Sequence, residues 1–377
     1  MSITKVTDAG LDKSRIVTPL IINGDMSVAQ RGTSTASVSS GSTFPVDRYK
    51  FLPNSLGTFT ISQSTTVPTG QGFSKSIKID CTTANASPGD GSTLQLVQYI
   101  EGQNLQLLKK GTSSAEAVTV SFWVRSNKTG TYTLELYDND NTRQISQTYT
   151  ISSADTWEKK TVNFAGDTTG ALDNDNGLSF AVQFWLGTGA NYNNQTLSTS
   201  WSSVTAASRV SGSQVNIADN TANEWYMTGL QMEIGTFDTN TIPDFPFESR
   251  ESNFRKCQRY HFRHNPTKDS QTVIVTGIAN GGSDINSALI PVPVPMRANP
   301  SLSTDPASGS VAIRWWKTTG NTGTISSYTT LASQGDGPSD GSGFLALTIN
   351  GFGGNLVASA PNGIEFESTD LILDSEL

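Results

Sequence analysis

The chain has 377 residues, of which 35% are hydrophobic and only 15% charged. Its formal net charge of −8 and isoelectric point near 4.9 exclude the basic stripe that a nucleic-acid binder uses to neutralise phosphates. Seven Trp, nine Tyr and sixteen Phe among Gly, Ser, Thr and Asn also exclude a disordered chain, which would lack material for a core. Two cysteines, Cys81 and Cys257, do not make a disulfide scaffold, and no apolar run reaches the roughly 18–20 residues of a membrane span, so no membrane insertion is expected.

The length exceeds what one core usually encloses, and two domains are expected. Residues 1–16 are polar and contain no hydrophobic segment followed by a small-residue cleavage site, which argues against a secretion signal. They are expected to be a docking arm. The apolar run Ile16 to Ile22 then enters a first domain, and Asn23-Gly24 signals a turn.

Strands recur from there with turn residues between them. Ile77, Ile79 and Cys81 share one face of a strand, as do Leu94, Leu96, Gln98 and Ile100. Val118 to Arg125 alternates, Asn127 to Gly130 turns, and Tyr132, Leu134 and Leu136 resume the inward face, which reads as a hairpin. Thr161 to Phe164 and Phe180 to Leu186 add two strands, the second with Phe180, Val182, Phe184 and Leu186 on one side. Helical periodicity is nearly absent. The pattern predicts an all-β protein whose first domain, residues 17–247, is an antiparallel jelly-roll β-sandwich.

Trp225 to Phe262 reads as a seam. Trp225 to Ile234 is expected as the strand that closes the sandwich, with Tyr226, Leu230, Met232 and Ile234 on one face and Thr228 as the polar exception. Gly235, Pro243 and Pro246 end it, because proline removes amide donors and holds the backbone extended. A linker with a short helix over Glu251 to Gln258, within residues 248–262, follows. Residues 263–377 are expected as a smaller C-terminal β-domain. Its strands are Thr272 to Ile278, the proline-broken Leu289 to Met296, Val311 to Lys317, Phe344 to Ile349 and Leu371 to Leu373, with a long polar loop from Thr318 to Gly343.

Several segments carry a resemblance. Leu-Gln-Met-Glu-Ile-Gly from Leu230, Pro-Phe-Glu-Ser-Arg from Pro246 and Cys-Gln-Arg-Tyr-His-Phe from Cys257 resemble the junction of many tailed-bacteriophage virion proteins, the tail fibre, receptor-binding or minor structural proteins. Asn23-Gly24-Asp25-Met26 with Gln30-Arg31-Gly32-Thr33, Asp47-Arg48-Tyr49 and Ser121 to Ser126 extend the likeness, as do Asp155-Thr156-Trp157-Glu158 and Asp374-Ser375-Glu376-Leu377. The resemblance implies a sandwich shared with carbohydrate-binding modules, and a homotrimer made in the host cytoplasm and carried on the tail or capsid surface of the virion. The implied partners are other virion proteins, through the N-terminal arm, and a host surface polysaccharide. A capsid decoration or head-fibre protein is the alternative, and a polysaccharide depolymerase a third reading.

Catalytic chemistry finds little support. His261 and His264 are the only histidines, and their spacing of three puts them on opposite faces of a strand, so neither a triad nor a zinc site is in sight. No catalytic residue and no metal ligand is assigned. Asp138, Asp140 and Asp173-Asn174-Asp175-Asn176 offer oxygens suited to a structural Ca²⁺, but runs of Asn and Asp make turns and neither has EF-hand spacing. No cofactor is therefore expected. Glycan binding needs aromatic faces beside hydroxyl-reading amides, and Trp185 to Trp201 has that composition. Trp185, Tyr192, Asn194 and Trp201 are the candidate residues, against the usual fate of large aromatics as core filler. The adjacent Trp315 and Trp316 are the candidates for an oligomer interface, since one of the two must point outward.

Overall fold

The computed structural model describes residues 19–264, 273–280, 284–305, 313–317, 322–325, 330–334, 344–350, 361–366 and 370–377, with a few single positions between the later segments. The chain forms two compact units, the first ending at Arg250 and the second running over Glu251–Glu376. The docking arm expected at residues 1–16 lies outside the described residues.

In chain order the strands of the first unit are β1 Ser34–Val38, β2 Thr43–Val46, β3 Tyr49–Asn54, β4 Thr58–Ser64, β5 Ser76–Thr83, β6 Thr93–Glu101, β7 Val118–Ser126, β8 Gly130–Asp138, β9 Arg143–Ile151, β10 Glu158–Phe164, β11 Leu178–Thr188, β12 Ser202–Ser203 and β13 Glu224–Ile234. They build two antiparallel sheets, β1-β4-β5-β13-β7-β10 and β12-β9-β8-β11-β6-β3-β2, packed as a jelly-roll sandwich. Alternation decides what lies between them. Phe180, Val182, Phe184 and Leu186 of β11 are all buried, as are Leu94, Leu96, Gln98 and Ile100 of β6. Aromatic rings join the two layers: Phe122 of the first sheet meets Phe184 and Tyr149 of the second edge-on, at centroid separations of 4.9 and 5.0 Å. Such pairs add about 0.5–1.5 kcal/mol to the burial of the rings themselves.

β13 departs from simple alternation. It lies between β5 and β7 in the middle of its sheet, instead of at an edge. Trp225 and Met227 face the core, and the register to β7 slips between Thr228 and Gln231, after which Leu230 and Met232 face the core. Tyr226 is therefore on the opposite face from Leu230, contrary to the sequence expectation. Gly229 at φ +65° makes the bulge, and a Cβ there would come within 2.6 Å of the Phe73 ring.

The motif residues near the N-terminus turn out to be architectural. The Asn23 amide donates to the Val28 and Asp47 carbonyls at 2.9 Å each and accepts from the Val28 N–H at 3.0 Å. Asp47 accepts from the Gln30 N–H at 2.8 Å, and Arg48 donates to the Tyr99 carbonyl at 2.6 Å. Gly24 lies against β13, accepting from the Leu230 N–H at 3.0 Å, and a Cβ would collide with the Leu230 carbonyl at 2.1 Å. Arg125 likewise holds the turn before β10, donating to the backbone and side-chain oxygens of Asp155 at 2.9 and 2.8 Å.

A charged cluster closes one end of the sandwich. The Lys110 ammonium, 4% exposed, is caged by the Asp138 carboxylate, Asp167 at 3.0 Å and the carbonyls of Thr169 and Gly170 at 3.2 and 2.8 Å. Arg143 clamps Asp167 at 2.7 and 3.0 Å. Burial by itself would raise the Asp167 carboxyl, but the hydrogen bonds from Arg143 and Lys110 outweigh it and hold the group below its ordinary value.

Helix α1 spans Arg250–Gln258, with Cys257 buried; apart from Arg250 it falls within the second unit, as does the whole helix expected at Glu251 to Gln258. The strands of this unit are β14 His261–His264, β15 Val273–Asn280, β16 Asp284–Pro291, β17 Ser301–Asp305, β18 Ile313–Lys317, β19 Thr322–Ile325, β20 Thr330–Gln334, β21 Phe344–Asn350, β22 Pro361–Phe366 and β23 Asp370–Asp374, in two sheets ordered β14-β23-β17 and β19-β18-β22-β15-β16-β21-β20. β19 and β20 fall in what the sequence predicted as one long polar loop. β16 stops at Pro291; its Asp284 to Asn286 pair with β15, and its Ala288 to Pro291 end pairs with β21. Trp315 and Trp316 sit in β18, between β19 and β22. The surroundings of their side chains lie outside the described residues. His261 contacts Asp374 at 3.2 Å, and Arg297 donates to the Ser375 carbonyl at 2.7 Å, which ties Asp374 and Ser375 of the terminal motif into this unit.

Replacing Lys110 with Met leaves the buried Asp138 carboxylate without its ammonium, while Asp167 keeps Arg143. Urea unfolding is expected to show a loss of about 3–5 kcal/mol, the cost of breaking a buried pair from one side. Because the folded Asp167 carboxyl lies below its unfolded value of about 3.9, its contribution is complete above that pH and disappears as pH falls through the lower folded value. Urea midpoints compared at pH 5 and pH 3 should drop in the wild type, and drop less in Asp167→Asn.

Candidate functional site

The site is assembled on the outer face of the second sheet. Alternation on β8, β11 and β6 turns Thr133, Glu135 and Tyr137, then Ala181, Gln183 and Trp185, then Gln95, Val97 and Tyr99 away from the core, and the register lines them up across the strands. Glu135 lies opposite Gln183, which lies opposite Val97, and Trp185 lies between Thr133 and Gln95.

Half of this face is covered. The segment from Gly189 to Asn216 returns over β8 and β9, where the Ser211 N–H donates to Thr133 Oγ1 at 3.1 Å and Ser146 Oγ donates to the Arg209 carbonyl at 2.7 Å. Gln144 donates to Ser208 Oγ at 3.0 Å, and Gln214 to the Trp185 carbonyl at 3.0 Å. The segment becomes a wall. The rest of the face, with Lys50, Leu52, Gln95 and Tyr99 half-buried, forms a floor beside it.

The wall is fixed by charge. Glu135 has no exposed surface, and Arg209 donates to it from Nε and Nη2, at 2.8 and 2.9 Å; the Trp185 indole N–H adds a bond of 2.8 Å. The guanidinium lies over the rings of Trp185 and Tyr137, 5.2 and 5.1 Å from their centroids, and donates to Gln183 at 3.3 Å. Gln183 in turn accepts from Gln95 at 3.1 Å. Burial pushes the Glu135 carboxyl up from its ordinary value while Arg209 and Trp185 pull it down, and the bidentate contact keeps the Arg209 guanidinium charged. Burial likewise raises the Tyr99 phenol.

The sequence candidates divide between two places. Trp185 and Tyr192 come together, with rings 5.5 Å apart. Trp185 is fully buried, however, so its expected stacking on sugar is corrected: it is on the outer face as its strand phase requires, but Arg209 and Tyr192 cover it. Tyr192 is half-buried and Asn194 is exposed on the wall. Trp201 belongs elsewhere, donating to the Ala165 carbonyl at 2.7 Å and packing beside Phe180 and the Lys110 ammonium. Sequence reading missed Glu135, Arg209, Gln183, Tyr99 and Tyr137. Glu135 carried a signal: it is a carboxylate inside an alternating strand, which needs a partner wherever that face is covered.

Asp138, the last residue of β8, Asp140 and Asp175 have protein partners. Asp138 serves Lys110 and Asn141, Asp140 accepts from the Asp173 N–H at 2.9 Å, and Asp175 from the Gly177 N–H at 2.8 Å. Among the described residues no group of three or more His, Cys, Asp or Glu is placed to hold a metal ion, and no helix is long and apolar enough to cross a membrane.

No protein family matches the chain, and neither does any curated protein sequence. Solved structures do. The enzymatically active domain of bacteriophage CBA120 tailspike protein 4 is similar over 58% of this chain at 13% identity and a TM-score of 0.31, and the match spans 21% of that chain. A family 4 carbohydrate-binding module is similar over 56% of this chain and 98% of its own at 10% identity and a TM-score of 0.28. The family 11 module of Clostridium thermocellum, in complex with a mixed-linked tetrasaccharide, covers 54% and 95% at 10% identity and a TM-score of 0.26. These likenesses concern the strand architecture and carry nothing about ligands.

Truncating Arg209 to Ala should leave Glu135 buried without a counter-charge, at a cost of about 3–5 kcal/mol in urea unfolding. The folded Glu135 carboxyl would then lie further above its unfolded value, so the variant should lose stability relative to wild type as pH rises from 4 to 7. Parallel curves for the two proteins would show that the pair does not hold the wall.

Proposed function

We propose that this chain is a non-enzymatic virion component of a tailed bacteriophage that binds a host-surface polysaccharide along the outer face of its second sheet. One observation carries the binding part: Tyr137, Tyr192 and Gln183 lie about a guanidinium that Glu135 holds between the Trp185 and Tyr137 rings, and Gln95 and Tyr99 continue the same face. Tyrosine rings offer apolar faces with a polar rim, which suits the alternating CH and OH faces of a pyranose, and the amides and guanidinium supply hydroxyl partners. Set on strands, or, for Tyr192 and Arg209, on a segment pinned to them, these groups are ordered before a ligand arrives, which lowers the entropy lost on binding. The charge of Glu135 is spent on Arg209, which suits it to hold a wall and not to transfer protons.

The virion part rests on the sequence resemblance. Its motif residues Asn23, Gly24, Asp47 and Arg125 hold turns and strand ends together instead of lining a cleft, as expected of a load-carrying protein. The same observation favours a second reading, a capsid decoration or head-fibre protein whose work is structural. A homotrimer, docked through the N-terminal residues, fits either.

Calorimetric titration with polysaccharide purified from the host envelope should show saturable binding that weakens about tenfold or more, at least 1.4 kcal/mol, in Tyr137→Ala. Binding unchanged in that variant, or absent across all host envelope fractions, removes the glycan reading. Antibody labelling of purified particles is expected at the tail tip; label confined to capsid faces selects the decoration protein.

A further inference from the structure

The opposite face of the sandwich carries a second recess. The Gly229 bulge sets back the middle of the first sheet, and the chain after β13 returns across it, so that Gly70, Gln71, Phe73, Trp123, Gln231 and Phe247 are among the residues around a cavity of about 310 Å³. That volume is at the lower end of small-molecule sites, roughly 300–1,000 Å³.

Its chemistry is two-sided. Phe73, Phe245 and Phe247 form a triangle of rings with centroids 4.9–5.1 Å apart, and Phe247 is 52% exposed, an unusual state for phenylalanine. Polar groups converge beside them: Gln71 and Asp244 are exposed, and Lys159 and Trp123 are half-buried. Gln231, only 4% exposed, lines the same recess. Its amide nitrogen donates to the Pro243 carbonyl at 2.9 Å, which fixes the orientation of the group, and its carbonyl oxygen is left buried without a hydrogen-bond partner. That oxygen has under 1 Å² of accessible surface, so Gln231 shapes the floor of the recess, and an acceptor that a ligand hydroxyl can reach is the exposed Asp244 carboxylate.

We propose that this recess is a second carbohydrate site, which takes one or two neutral pyranose units, with a sugar face against Phe247 and a hydroxyl donated to Asp244. The mixed charges of Asp244 and Lys159 favour a neutral ring over an anionic one. The aromatic wall with an acceptor beside it suits a ring that has one apolar face and hydroxyls at its edge. The site is distinct from the second-sheet face, shares no residue with it, and stands or falls separately.

The test uses the full chain and a panel of neutral hexose and N-acetylhexosamine oligosaccharides, each titrated calorimetrically against wild type, Phe247→Ala, Asp244→Ala and Tyr137→Ala. Thermal melts first establish that the exposed Phe247→Ala and Asp244→Ala variants keep the wild-type fold. The expected result is a sugar whose affinity falls at least tenfold in Phe247→Ala, falls in Asp244→Ala, and changes less than twofold in Tyr137→Ala. Sugars that bind but are indifferent to Phe247→Ala overturn the second site, whether or not Tyr137→Ala abolishes them. A panel in which no sugar binds the wild type overturns it as well.

Discussion

A carboxylate cannot sit dry on a sheet face without a partner, and Glu135 does sit dry. The need to pair it explains why the segment between β11 and β13 lies where it does. Arg209 is drawn onto the sheet by two charged hydrogen bonds, and around that anchor the hydroxyls of Thr133 and Ser146 bond the returning backbone, Gln144 donates to Ser208 Oγ, and Gln214 of the returning segment donates to the Trp185 carbonyl. An isolated surface pair would contribute little, whereas one buried among rings and amides sets a geometry that is costly to break from one side. The wall, the half-open floor beside it and the burial of Trp185 all follow from this one requirement.

Two other constraints act independently of it. At one end of the sandwich, Lys110 sits where four oxygens point inward, so that a side chain supplies the positive charge for Asp138 and Asp167. In the middle of the first sheet, Gly229 lets β13 change phase, which keeps both Met227 and Leu230 in the core and turns Gln231 outward beneath Pro243. The two sheets thus differ: one face is organised by a covering loop, the other by a defect in its own ladder.

What the sequence made legible was periodic. The inward faces of β6 and β11 could be read residue by residue because alternation is a property of the strand alone. What it hid was long-range or aperiodic. The phase of β13 failed at Gly229, since a single bulge reverses every side chain beyond it, although a glycine within a strand is itself a hint. Trp185 was assigned to the correct face but the wrong environment, because the Arg209 that covers it beside Tyr192 arrives from more than twenty positions later in the chain. Tyr99 and Tyr137, on separate strands, meet the wall only through sheet register. The hydroxyl-rich β19 and β20 carried too little apolar pattern to stand out from a loop.

Hydrogen exchange of the full chain with and without host envelope polysaccharide tests the central claim most directly. Binding on the second-sheet face predicts slowed exchange in residues 189–216 and in β6 and β11. Protection confined to the second unit, or no change anywhere at saturating polysaccharide, would contradict it.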